Sequence, residues 1–126
     1  MKSFLKYPGG KYKLSATINQ HLGEGKKLIE PFVGAGNVFV NTDYDSYLLN
    51  DINQDVIDIL SLIKRDPVHL MSLAEIYFSG SYNNEMSYYN LRREFNQIPS
   101  CAERCALFLY LNRHGYNGLC RYNLKG

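Results

Sequence analysis

The chain has 126 residues, 45% of them hydrophobic, with a formal net charge of +2 and three cysteines. That length suits one small domain with a core of its own. No stretch approaches the roughly 18 apolar residues of a membrane span. The opening Met1-Lys2-Ser3-Phe4-Leu5-Lys6 lacks the apolar region of a secretion signal, and an odd cysteine count without a Cys-x-x-Cys pair fits a reducing, cytoplasmic setting.

Phe4-Leu5-Lys6-Tyr7-Pro8-Gly9-Gly10-Lys11 is an aromatic and basic loop. A helix is predicted from about Tyr12 to Leu22, with Leu14, Ile18 and Leu22 recurring every fourth residue and Gly23 ending it. The loop is no phosphate-binding P-loop. Tyr12 stands where Ser or Thr is needed, and Leu5 takes the place of the first glycine.

Leu28-Ile29-Glu30-Pro31-Phe32-Val33-Gly34-Ala35-Gly36-Asn37-Val38-Phe39 then reads as strand, tight turn on two glycines, and helix. Tyr47-Leu48-Leu49-Asn50-Asp51 is a second strand ending in a carboxylate. Asp51 lies 15 residues beyond Gly36, close to the roughly 20-residue spacing at which nucleotide-binding units set an acid against ribose hydroxyls. Phe39 occupies the place of a third glycine, so a pyrophosphate clamp is not supported. A nucleoside without phosphates fits better, and the pattern leaves a purely structural glycine turn open.

Asn53 can cap a helix that buries Val56, Ile59, Leu60 and Ile63. Asp66-Pro67 starts another, with Leu70, Leu73, Ala74 and Tyr77 inward. A polar loop follows from Ser79 to Asn84, then a helix from about Glu85 to Asn96 with Tyr88, Leu91 and Phe95 as its core stripe. Ser100 with Glu103 forms a capping box for an apolar helix through Leu111. Cys101 and Cys105 on that helix read as two buried thiols, not a metal site. The predicted architecture is α/β: two parallel strands beside a largely helical half. An open sheet of this kind usually has five or more strands, so the count suggests a sheet that is incomplete.

Asn112-Arg113-His114-Gly115-Tyr116-Asn117-Gly118-Leu119-Cys120-Arg121-Tyr122-Asn123 differs in character, with a strong turn signal at Asn117-Gly118. Arg and Asn can pair with guanine and adenine edges, and a tyrosine or Leu119 can wedge between base pairs. A hairpin that merely closes the domain stands beside that reading. Charge points the same way. Residues 1–23 hold four basic groups and no acid, and residues 104–126 hold another four and no acid. The middle holds all 12 carboxylates against six basic groups, so the three parts sum to +4, −6 and +4. Two basic ends brought together would form a surface suited to a phosphate backbone, and on charge alone a pair of ordinary solvated ends is the other reading.

Three segments in one order, Phe4 to Lys11, Glu30-Pro31-Phe32-Val33-Gly34-Ala35-Gly36, and Asn112 to Arg121, resemble the amino-terminal half of the Dam family of DNA adenine methylases. The resemblance covers essentially the whole chain. It implies a Rossmann-like, S-adenosylmethionine-dependent methyltransferase fold of which the first two strands are present, with a mostly helical DNA-recognition part. Residues 1–66 would form the cofactor-binding portion and 67–126 the target-recognition portion. S-adenosylmethionine would be lined by Tyr7, in the place of a frequent tryptophan, and by Lys11, Gly34, Gly36 and Asp51. Double-stranded DNA would be contacted by Lys6, Arg113, Tyr116, Asn117, Leu119 and Arg121, with GATC as the family's target. No metal and no membrane are implied. The family's Asp-Pro-Pro-Tyr catalytic segment is absent from these residues, whose four prolines are never adjacent. A fragment, inactive without a carboxyl-terminal half, is therefore expected. A non-catalytic DNA-binding module and an inert remnant are the alternatives.

Overall fold

In the computed structural model, which describes residues 1–123, a two-stranded parallel sheet abuts a bundle of four helices. The sheet pairs β1, Lys27–Glu30, with β2, Ser46–Leu49, in the register Leu28 to Tyr47 and Ile29 to Leu48. Before it comes α1, Ser15–His21, and after it α2, Gln54–Arg65, α3, Pro67–Tyr77, α4, Glu85–Phe95, and α5, Ala102–His114. None of these helices is long and apolar enough to cross a membrane.

The apolar spacing explains the bundle. Val56, Ile59 and Leu62 of α2, Leu70 of α3, and Leu91 and Phe95 of α4 are buried around α5. That helix contributes Cys105, Ala106, Leu107, Phe108, Tyr110 and Leu111 and is apolar nearly all round, as a central helix must be. Asn53 caps α2 by accepting from the N–H groups of Asp55 and Val56, and Asp66 caps α3 by accepting from His69. Leu5, Val33 and Ala35 join the same core, so the amino-terminal loop and the glycine turn are packed against the helices.

Three local expectations are corrected. The segment after the glycine turn is not an α-helix but a single 3-10 turn, Phe39–Asn41. The Asn41 side-chain amide takes the Asn37 carbonyl at 2.7 Å, the acceptor that an α-helix would offer to the Asn41 N–H. The first helix opens as a 3-10 turn, Lys11–Leu14, and its apolar stripe is not a core stripe: no residue of α1 is buried and Leu14 is 59% exposed. It stops on the extended Leu22, before Gly23. At α5 the cap is Cys101, whose Sγ accepts from the Arg104 N–H at 3.4 Å, while the Ser100 hydroxyl donates to Asp58.

The sheet is covered on one face only. Leu28 and Glu30 point inward, whereas the register partners Ile29 and Leu48 are 59% and 51% exposed on the other side. Both strand edges are unpaired among the described residues, an arrangement that sheets normally avoid.

Candidate functional site: a glycine-turn cleft beside a basic loop

The end of the sheet builds the first cluster. Both strands run into turns at the same edge, so the glycine turn after β1 and Asp51 after β2 face each other. The Gly34 N–H donates to Asp51 Oδ2 at 2.8 Å, and Asp51 Oδ1 accepts from the Asn53 N–H at 3.0 Å. Each carboxylate oxygen keeps a second lone pair for another donor. Across from Asp51, the Tyr7 ring lies over Gly34. A Cβ at Gly34 would stand in ordinary contact with that ring, at 3.6 Å, and it is the backbone, with φ at +51°, that favours glycine there.

Tyr7, Lys11, Gly34 and Asp51 together line one cleft of about 170 Å³, with Asn37 and Phe32 among its other walls. Burial and the nearby Asp51 charge raise the pKa of the Tyr7 hydroxyl, which therefore stays protonated at neutral pH. Gly36 is not brought into this cleft. A Cβ there would lie 2.4 Å from the Phe39 ring, so the space it leaves is filled by the protein itself.

Lys11 is anchored rather than free. Its ammonium sits 3.3 Å from Glu30 Oε1 and donates to the Phe32 carbonyl. Glu30 was not singled out from the sequence. It is 7% exposed, its two oxygens lack any well-formed hydrogen bond among the described residues, and burial raises its pKa against the opposing pull of Lys11. Only its place at a strand end, one residue before Pro31, signals it in the sequence.

The second cluster forms where the two basic ends meet. Asn112, 1% exposed on α5, accepts from the Lys6 N–H at 2.9 Å and donates to the Lys6 carbonyl at 2.6 Å and the Gly118 carbonyl at 3.0 Å. The Lys6 ammonium donates to the Arg113 carbonyl, and the Arg113 guanidinium donates to the Phe4 carbonyl, each at 3.2 Å. Lys6 and Arg113, over 100 residues apart in sequence, are thus neighbours. Arg104 is drawn away from this surface: its side chain, 17% exposed, is paired with the Asp55 carboxylate.

Beyond Arg113 the chain makes a 3-10 turn, Tyr116–Gly118, with Asn117 at φ +52°. Tyr116 is 79% exposed at its tip and Leu119 is exposed beside it. Arg121 shares a groove with Arg92, Tyr89, Tyr116 and Leu119. Burial pushes the Cys120 thiol to about 12, so it is no nucleophile. The loop sits against the amino-terminal segment so closely that a Cβ at Gly118, φ +77°, would meet the Lys6 carbonyl oxygen at 2.6 Å. Gly118→Ala is therefore expected to cost about 1–3 kcal/mol of stability through backbone strain alone, measured by urea denaturation; a change within 0.5 kcal/mol would mean that the loop does not hold this docked position.

A cavity of about 240 Å³ lies between Tyr7 and Leu119, so the two clusters adjoin. Fold and site thus define a mixed α/β protein with a glycine-turn ligand cleft next to a basic loop surface. A family model described as D12 class N6 adenine-specific DNA methyltransferase matches residues 7–126, and the chain belongs to that family. It is 52% identical over 125 residues to a DNA adenine methylase of Serratia marcescens, covering 99% of this chain and 46% of that relative. Proteins of the same name from Vibrio cholerae serotype O1 (strain O395) and Escherichia coli K12 are 48% and 49% identical, with 45% of each covered. The chain spans about half the length of the curated relatives it matches.

Proposed function

We propose that the chain is the amino-terminal half of an S-adenosylmethionine-dependent, site-specific DNA adenine-N6 methyltransferase of GATC type, built on an incomplete Rossmann-like sheet. Residues 1–66 serve the cofactor and 67–126 the target. The observation that carries this reading is the convergence of Tyr7, Lys11, Gly34 and Asp51 on one cleft directly beside the docked basic loop.

The residues fit the cofactor. Asp51, already fixed by two backbone N–H groups, presents its remaining lone pairs to ribose hydroxyls. The cleft walled by the glycine turn and Tyr7 receives the adenosyl part, and an aromatic face suits a cation nearby. Lys11, held at the rim by Glu30, faces the amino-acid carboxylate. Gly36 acts one step away, by letting Phe39 pack under the turn. S-adenosylmethionine supplies the methyl group, activated by its sulfonium.

On the DNA side, Lys6 and Arg113 set the register on phosphates and the edge of the target. Tyr116 and Leu119 enter the stack, and Asn117 and Arg121 read base edges. The adenine amine is a weak nucleophile because its lone pair is delocalised into the ring. The base must be flipped out and the amine held so that the lone pair faces the methyl group. No Asp-Pro-Pro-Tyr segment exists in these 126 residues to do so. The chain is accordingly expected to bind cofactor and DNA but to transfer no methyl group until it is joined to a carboxyl-terminal half such as its relatives carry.

Fluorescence anisotropy with a GATC duplex and a scrambled one tests the DNA assignment. The chain should prefer GATC, and Arg121→Ala should erase roughly 5- to 100-fold of that preference, the loss of one bidentate base contact. Equal affinity of the unaltered chain for both duplexes would overturn the sequence-specific reading.

A further inference from the structure

We infer that Tyr122 is a positioning residue that clasps the DNA-reading loop to the turn bearing Asp51, so that cofactor and DNA binding reinforce each other through Asn53. The inference rests on the methyltransferase reading above and deepens it.

Asn53 stands at a junction. Its backbone N–H donates to Asp51 Oδ1 at 3.0 Å, fixing the acid of the cofactor cleft. Its side-chain oxygen accepts from Asp55 N–H at 3.0 Å and Val56 N–H at 3.4 Å, so the residue cannot move without uncapping α2. The same amide grips Tyr122 reciprocally: Nδ2 donates to the tyrosine oxygen at 3.0 Å, and the tyrosine hydroxyl donates back to Oδ1 at 3.2 Å. The two groups are 69 residues apart in sequence. Asn53, Tyr7 and Tyr122 also line the adjoining cavity together.

The loop around Tyr122 is otherwise held from α4. Asn96 Nδ2 donates to the Arg121 carbonyl at 3.1 Å, and the Arg92 guanidinium donates to the Asn123 carbonyl. The Tyr122 ring packs on Phe95, centroid to centroid 5.8 Å. These contacts fix where the backbone lies. From this loop the Tyr122 hydroxyl crosses to the residue that holds Asp51. Arg121 and Leu119, the groups assigned to base reading and insertion, sit one and three residues before it. A DNA-induced shift of the loop therefore pulls on Asn53 and the Asp51 carboxylate, and a sugar bound at Asp51 steadies the loop in return. Such linkage is reciprocal by thermodynamic necessity.

The test uses Tyr122→Phe, which keeps the ring on Phe95 and removes only the hydroxyl. Calorimetric titration of the full chain with S-adenosylhomocysteine, without and with a GATC duplex, gives the coupling factor. The unaltered chain should bind S-adenosylhomocysteine about 5- to 20-fold more tightly with duplex present, within the usual range of coupling. In Tyr122→Phe each separate affinity should stay within about twofold while the factor falls to about one. Asn53→Ser, which keeps a good helix cap but removes the amide that holds the tyrosine oxygen, should lower the factor likewise. A role in folding alone would instead lower the thermal midpoint and leave the factor as it was, and an equal factor in all three proteins overturns the clasp. If the unaltered chain binds neither ligand, the assignment of cofactor and DNA binding to this half fails, and the clasp with it, an outcome distinct from binding without coupling.

Discussion

Asp51→Ala is expected to weaken S-adenosylhomocysteine binding by at least about 100-fold. Two ribose hydroxyls would each lose a hydrogen bond to a charged acceptor, worth about 1.5–3 kcal/mol apiece. Isothermal titration of both proteins measures this directly. Similar heats from the two would remove the cofactor assignment. The substitution has a second consequence, because the carboxylate also accepts from the Gly34 and Asn53 N–H groups. Leaving those donors without their acceptor should lower stability by about 1–3 kcal/mol, so circular dichroism must first show the variant folded at the titration temperature. Lys11→Ala serves as a comparison, since it removes a cleft residue that touches neither N–H group.

Arg104→Ala is expected to cost about 3–5 kcal/mol of stability, the range for breaking a buried ion pair from one side. Its guanidinium donates to Asp55 Oδ1 at 2.6 Å and Oδ2 at 3.1 Å, to the Ile98 carbonyl at 2.9 Å and to the Phe95 carbonyl. It also stacks 4.0 Å from the centre of the Phe95 ring. Removing it leaves the Asp55 carboxylate, only 6% exposed, without a counter-charge. Since small domains are stable by about 5–15 kcal/mol in all, much of the fold's margin would go. Urea denaturation of the two proteins gives the difference. A loss under 1 kcal/mol would mean that the pair behaves as a solvent-screened surface bridge.

The helical half was legible because its signals are local. Asn53 and Asp66 cap where their side chains reach the next turn, and the spacing of Val56, Ile59, Leu91 and Phe95 marks the faces that α5 covers. Parallel pairing of the two strands followed from their order and their apolar runs. The cleft was legible in part: Gly34 and Asp51 follow from residue pattern, Tyr7 and Lys11 only from the family resemblance, and Gly36, expected with them, lies outside it. Local pattern failed where a side chain competes with the backbone for its own acceptor, or where an apolar stripe has no partner surface. The amide of Asn41 stops a helix after the glycine turn, and the Leu14–Leu22 stripe finds no core to cover.

The sequence by itself determined the family, the glycine turn, the acid opposite it and a terminal loop rich in arginine, asparagine and tyrosine, since each depends on residue types at short spacings. Only the tertiary structure decided which charges are available. It paired Arg104 with the buried Asp55 and brought Lys6 and Arg113 together through the buried amide of Asn112. It also tied Tyr122 to Asn53 across 69 residues. Contacts at such separations leave no periodic trace in the chain, because they arise from how the helices pack and not from how any one of them is written.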